Sequence, residues 1–231
     1  TAPAAIGRGI ITFNDDEDCE LERQYDNDKK SYDIIKFVPA SGAASRMFKT
    51  IFSFVDEYKG KEIPNNFLKK EKIKPDSIEN FFISIHDFAF FNDLKTALKE
   101  KGKDIEEMLV NNELVEIAET LLNAEGLNYG SLPKGLLKFH QYGDDARLAI
   151  EEHLVEAAEY STADTKEGRV AQLHFTVSQE HLDIFKKTVA KVVPEYETRF
   201  GIRYDISFSV QKPSTDTIAV DMNNEPFRDK N

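Results

Sequence analysis

Cysteine is nearly missing from this sequence. Cys19 stands alone among 231 residues, so no internal disulfide can form and a reducing compartment is favoured. Long apolar runs are missing too: none approaches the roughly 20 residues that a membrane-spanning helix needs. No secretory leader is visible, although the chain opens on Thr1 rather than Met and is read as having lost residues upstream. Positive charge is in short supply, with 30 Lys and Arg against 42 Asp and Glu and a net charge of −12. A general nucleic-acid surface needs clustered Lys and Arg and is not expected here. A phosphorylated ligand would have to meet local positive charge or a metal instead. The expectation is a soluble cytoplasmic protein with no membrane or nucleic-acid partner.

Several catalytic frames are absent as well. Gly42 does not begin a Gly-x-Gly-x-x-Gly dinucleotide fingerprint, and no Gly-x-x-x-x-Gly-Lys-Ser/Thr loop occurs. There is no His-Glu-x-x-His, and His140, His153, His174 and His181 show no metal-ligand spacing. Ser41 and Ser45 lack the Gly-x-Ser-x-Gly frame of a hydrolase nucleophile. Cys19 sits in an acidic stretch, a poor setting for a thiolate.

What is present is an apolar run, Ile34-Ile35-Lys36-Phe37-Val38-Pro39, then Ser41-Gly42-Ala43-Ala44-Ser45-Arg46, then a helical pattern from Met47 to Tyr58. A strand, a turn of small side chains and a helix present backbone amides to an anion, and the helix N-terminus adds partial positive charge. Arg46 supplies a cationic fork one turn in. A phosphate site is the sharp reading. A tight turn whose small residues serve only packing is the plain one.

Apolar residues make up 40% of the chain and include 17 Phe, enough for a sizeable core. Gly9 to Phe13 reads as a short strand, and Asn14 or Asp15 as the cap of an acidic, solvated helix. From residue 60 to 128 strand signals nearly vanish. Asp76-Ser77 caps a helix carrying Ile78, Phe81, Phe82 and Ile85, and 92–101, 104–110 and 113–123 also read as helices. This region is expected to be a helical insertion or lid within a single α/β domain spanning 1–231. Short strands are expected at Leu136–His140, Arg169–Val177, Tyr204–Val210 and Thr217–Val220. Helices are expected from about Arg147 to Tyr160 and from Gln179 to Val193, the latter ended by Pro194. Strands alternating with helices imply an open, mostly parallel sheet flanked by helices. In such sheets ligands bind beyond the carboxyl ends of the strands. The Ser41–Arg46 turn, the Lys134 loop and the polar segment starting at Gln211 are the candidates there.

Three blocks then carry a resemblance: residues 37–49, 126–140 and 211–221, with Ser41-Gly42-Ala43-Ala44-Ser45-Arg46-Met47, Pro133-Lys134 and Gln211-Lys212-Pro213-Ser214-Thr215-Asp216-Thr217 at their centres. On these blocks the chain is identified as a member of the bacterial family called domain of unknown function 4301. That family in turn resembles the sugar nucleotidyltransferases, UDP-sugar pyrophosphorylases among them, whose signature is Gly-Gly-x-Gly-Thr-Arg-(Leu/Met) followed by Pro-Lys. The resemblance implies a nucleotide-diphospho-sugar transferase-like fold, with Arg46 and Lys134 as catalytic contacts to a triphosphate. It implies that Ser41, Gly42, Ala43, Ala44 and Ser45 cradle phosphate and that Gln211 lies on the nucleotide or sugar side. The implied reaction is attack of a sugar 1-phosphate on the α-phosphorus of a nucleoside triphosphate, with pyrophosphate released. It would be assisted by Mg²⁺, for which Asp221 is the candidate ligand. Ser41 and Ala44 stand where the signature has glycine, which favours a rival reading: a catalytically silent ligand-binding or regulatory domain on the same fold. The resemblance also implies more sheet beyond Asn231, so the chain is read as the N-terminal part of a longer protein.

Overall fold

A computed structural model describes residues 2–69, 73–165, 168–215 and 219–227. In chain order the elements are β1 (Ala5–Ile6), β2 (Gly9–Ile10), α1 (Asp15–Asp28), β3 (Ile35–Pro39), α2 (Lys49–Tyr58) and α3 (Ile78–Ile83). Then come α4 (Phe91–Glu100), α5 (Ile105–Val110), α6 (Leu114–Leu122), β4 (Lys138–Tyr142), β5 (Asp145–Leu148) and α7 (Ala149–Tyr160). The rest are β6 (Thr162–Thr165), β7 (Gly168–Val177), α8 (Leu182–Phe200), β8 (Arg203–Val210), β9 (Ala219–Val220) and β10 (Pro226–Phe227). No helix among the described residues is long and apolar enough to cross a membrane.

Side-chain alternation fixes the sheet. Along β7, Ala171, Leu173, Phe175 and Val177 are buried, while Gln172, His174 and Thr176 between them point to the other face. β8 pairs in parallel along one edge of β7, from Val170↔Arg203 to Val177↔Val210. The other edge takes β6 antiparallel near its start and β3 parallel further on, from Ile35↔Gln172 to Pro39↔Thr176. β3, β7 and β8 therefore all deliver their carboxyl ends to one side. The buried face packs on α7 and α8 through Ile150, Leu154, Phe185 and Val189. The opposite face carries exposed Ile35 and Phe37, with Phe37 stacked on the His174 ring at 5.1 Å. The fold is thus mixed α/β with a mostly parallel sheet, and α7 and α8 cover one face of it.

The helical region has its own core. Phe48, Ile51 and Phe54 of α2 and its entry turn pack against Phe82, Leu94, Ile117 and Leu121. α2 thus faces the helices that follow it rather than the sheet. Side-chain caps hold three of the helix starts, two of them where the sequence places a cap. Asn14 Oδ1 accepts from the Asp16 and Glu17 amides, Ser77 Oγ from Asn80, and Asp104 Oδ1 from Glu106. The exit from α6 folds back on its last turn. There the Leu127, Tyr129 and Gly130 amides donate to the carbonyls of Thr120, Leu121 and Leu122. Those are the carbonyls that a helix end leaves unpaired.

Three expectations change. The helix after Arg46 starts at Lys49, because residues 45–48 form a turn closed by the Met47 amide on Ala44. The run from Leu136 to His140 does not join the main sheet: Lys134–Leu136 is a 3-10 turn, and β4 pairs antiparallel with β5 about the left-handed Gly143. α8 passes through Pro194 and stops at left-handed Gly201. Proline removes one donor, but Tyr196, buried on the same face as Phe185 and Val189, keeps the next turn in place. Of the strand expected at Thr217–Val220, residues 217 and 218 lie outside the described residues.

Candidate functional site

The carboxyl ends of the parallel strands bring three of the sequence blocks together. Beyond β3 the Ala40 amide donates to Thr176 O at 2.7 Å, and beyond β8 the Gln211 amide donates to Val177 O at 2.9 Å. These two bonds lead the chain out on either side of β7. Ser41 Oγ then donates to Gln211 Oε1. The Lys134 amide donates to Gly42 O at 3.2 Å, and Ala43 forms an antiparallel bridge with Pro133. Ser41, Gly42, Ala43, Lys134 and Gln211 thus belong to one junction.

The turn itself leaves donors open. The amides of Gly42, Ala43, Ser45 and Arg46 donate to no acceptor among the described residues, whereas the bridge to Pro133 engages the Ala44 amide. A side chain added at Gly42 would meet nothing within 4 Å, so its approach is open. Ser45 and Arg46 are exposed, whereas the Ala44 methyl is fully buried in the helical core. The Arg46 and Lys134 side chains are exposed and have no hydrogen-bond or ion-pair partner among the described residues. Other lysines here are paired: Lys36 with Glu156, Lys59 with Glu119, Lys103 with Glu116 and Lys138 with Asp93. Successive unpaired N–H groups beside unpaired cations are an anion-binding arrangement.

Two features of the junction escape sequence reasoning. His181 clamps the Lys134 loop to the end of β7: its Nε2 lies 3.1 Å from Ser131 O, and Ser178 Oγ lies 2.7 Å from its Nδ1. A carbonyl only accepts, so Nε2 donates to Ser131 O. Nothing in a Ser-x-x-His spacing announces this, because Ser131 comes from a distant part of the chain. Gly135 is the second: a Cβ there would lie 3.0 Å from the Phe185 ring. Below the loop is a cavity of about 140 Å³ bordered by Gly42, Lys134, Gly135, His153 and Phe175. Small-molecule sites begin at about 300 Å³, so a ligand at the junction would sit on the open side of the turn.

Asp221 has a local duty. Its Oδ1 accepts from the Asn223 amide at 2.7 Å and the Glu225 amide at 3.0 Å, holding the turn between β9 and β10. These two backbone bonds, Glu225 first, hold its carboxyl below the usual range. Among the described residues no group of three His, Cys, Asp or Glu could hold a metal. Among the described residues the junction offers neutral and basic groups, while Mg²⁺ is bound through one or two carboxylates. The donor set does not fit a resident Mg²⁺, and no chemistry is derived through one. His86 is a surface residue, 3.1 Å from Glu106 and packed on the Phe91 ring.

Neither the curated proteins nor the solved structures give a match. The sequence model described as Domain of unknown function (DUF4301) matches residues 1–231, all of the chain, which therefore belongs to that family.

Proposed function

We propose that the junction binds the phosphate groups of a nucleoside triphosphate or sugar nucleotide, and that the protein is nucleotidyltransferase-like. What carries the reading is the open amides of Gly42, Ala43, Ser45 and Arg46 on a turn that ends in Arg46 and is bonded to Lys134, both cations without a partner among the described residues, at the carboxyl ends of parallel strands. The amides would take non-bridging phosphate oxygens, and Arg46 and Lys134 would neutralise charge that a chain at −12 otherwise repels. In the transfer reaction a sugar 1-phosphate oxygen bonds to the α-phosphorus of the triphosphate, the bond to the β-phosphate oxygen breaks, and pyrophosphate leaves. The protein's share is alignment and charge stabilisation. A cytoplasmic setting goes with this reading. The replacement of signature glycines by Ser41 and Ala44, with no carboxylate set beside the junction among the described residues, favours a second reading, a binding or regulatory domain that holds the same ligand without transfer.

The test is calorimetric titration of UTP and the other triphosphates into wild type and Arg46→Ala. The account expects micromolar binding, weakened about tenfold or more in the variant, as loss of a charged hydrogen bond implies. No binding to the wild type contradicts it. Pyrophosphate release with sugar 1-phosphates then separates transferase from silent domain.

A further inference from the structure

The stretches that meet at the junction also wall a second cavity. Met47 and Phe48, directly after Arg46, line it from one side, and Tyr129, Lys138 and Phe139, from the stretch around Lys134, from the other. It holds about 450 Å³, within the range of sites that take small organic molecules. Aromatic side chains line much of it: Phe48, Phe81, Phe88, Phe90, Tyr129 and Phe139. Phe88 and Phe90 lie parallel with centroids 5.1 Å apart, Phe81 is 5.2 Å from Phe88, and Phe88 and Phe139 keep 36% and 39% of their surface exposed. Polar groups stand at few points. Asp76, Asn80 and Asp87 border the cavity, and the Lys138 ammonium is neutralised by Asp93 at 2.7 Å. The Tyr129 hydroxyl accepts from the Lys138 amide, and burial pushes its pKa up to about 12, so it stays a neutral phenol. Flat aromatic walls bordered by carboxylate and amide oxygens suit a planar ring with N–H groups on its edge.

We infer that this cavity is the subsite for the heteroaromatic ring of a nucleoside whose phosphates lie on the amides of Gly42, Ala43, Ser45 and Arg46. The inference rests on the phosphate reading above and deepens it, since it gives the nucleotide a second point of attachment. Thr50 lies on the exposed first turn of α2 and lines the cavity, so Thr50→Trp fills the space without emptying a core.

The experiment titrates wild type, Thr50→Trp, Phe88→Ala and Arg46→Ala with UTP, ATP, the free nucleosides and inorganic tripolyphosphate. The expected result is nucleotide binding about tenfold or more tighter than tripolyphosphate, the worth of one stacked base. Thr50→Trp removes that margin and leaves tripolyphosphate binding unchanged, Phe88→Ala reduces the margin, and Arg46→Ala weakens both ligands. Nucleotide affinity untouched by Thr50→Trp and Phe88→Ala overturns the inference, as does tripolyphosphate binding as tightly as UTP or ATP. Nucleoside binding that Thr50→Trp abolishes, without any tripolyphosphate binding, supports the ring subsite and removes the phosphate site alone. Uptake of anilinonaphthalene sulfonate blocked by Thr50→Trp, with no nucleoside binding, assigns the cavity to an apolar ligand and overturns the inference.

Discussion

Ser41 and Gln211 lie 170 positions apart, yet one hydroxyl-to-amide bond joins them across the end of β7. Removing it with Ser41→Ala should cost about 0.5–1.5 kcal/mol, the net value of a neutral hydrogen bond. Urea denaturation measures that loss, and no change in midpoint would mean that the two blocks are merely neighbours. A second residue-scale device is the Lys36–Glu156–Tyr160 group, which ties β3 to α7. The hydrogen bond from Lys36 holds the Glu156 carboxyl below its usual value of 4.5 against the opposing effect of burial, with His153 assisting. Burial works to lower the Lys36 pKa, but its bonds to Glu156 and Tyr160 win and leave it above 10.5. A depressed carboxyl stabilises the fold above its unfolded pKa and loses that contribution as pH falls through the folded value. A raised ammonium contributes fully below its unfolded pKa and loses that as pH rises through the folded one. Stability should therefore hold between about pH 4.5 and 10.5 as far as this group decides it. Glu156→Gln should flatten the acid limb of a denaturation-versus-pH series, and an unchanged limb would assign it to other carboxylates.

At the scale of elements, the turn after α6 shows why a glycine-rich block is there. A Cβ on Gly126 would lie 1.9 Å from the Thr120 carbonyl oxygen, and one on Gly130 would lie 2.6 Å from the Phe52 ring. Both glycines let the chain pair its amides with the end of α6. Gly126→Ala should cost about 2 kcal/mol or more by overpacking against backbone, read as a lowered midpoint in thermal or urea unfolding. A wild-type midpoint would show that the turn relaxes freely. β3, β7, β8 and most helices were legible because apolar residues recur at their period, as in β7 and α4, and because Asn14 and Ser77 cap as their chemistry prescribes, whereas β6, a short strand at the edge of the main sheet, was not. The Pro194 stop failed because a buried face running on to Tyr196 outweighs one lost donor. The β4–β5 hairpin was misjudged because a local alternating run does not say which sheet it joins. The clamp at His181 and the aromatic cavity were not legible, since each is assembled from stretches far apart in sequence.

Over the whole molecule, two cores meet at the junction. Leu132, one residue before Pro133, packs against both, and Ala44 and Phe48 anchor the candidate turn in the helical one. The turn is therefore held from below by packing and from the side by Gln211, Lys134 and the His181 clamp, with the amides of Gly42, Ala43, Ser45 and Arg46 left open. Backbone amide NMR during titration with inorganic tripolyphosphate tests this most directly. The account predicts that Gly42, Ala43, Ser45 and Arg46 show the largest shifts, and that Arg46→Ala weakens the response. Shifts centred elsewhere, such as the pocket bordered by Lys30 and Arg169, or no shifts in the turn at all, would contradict it.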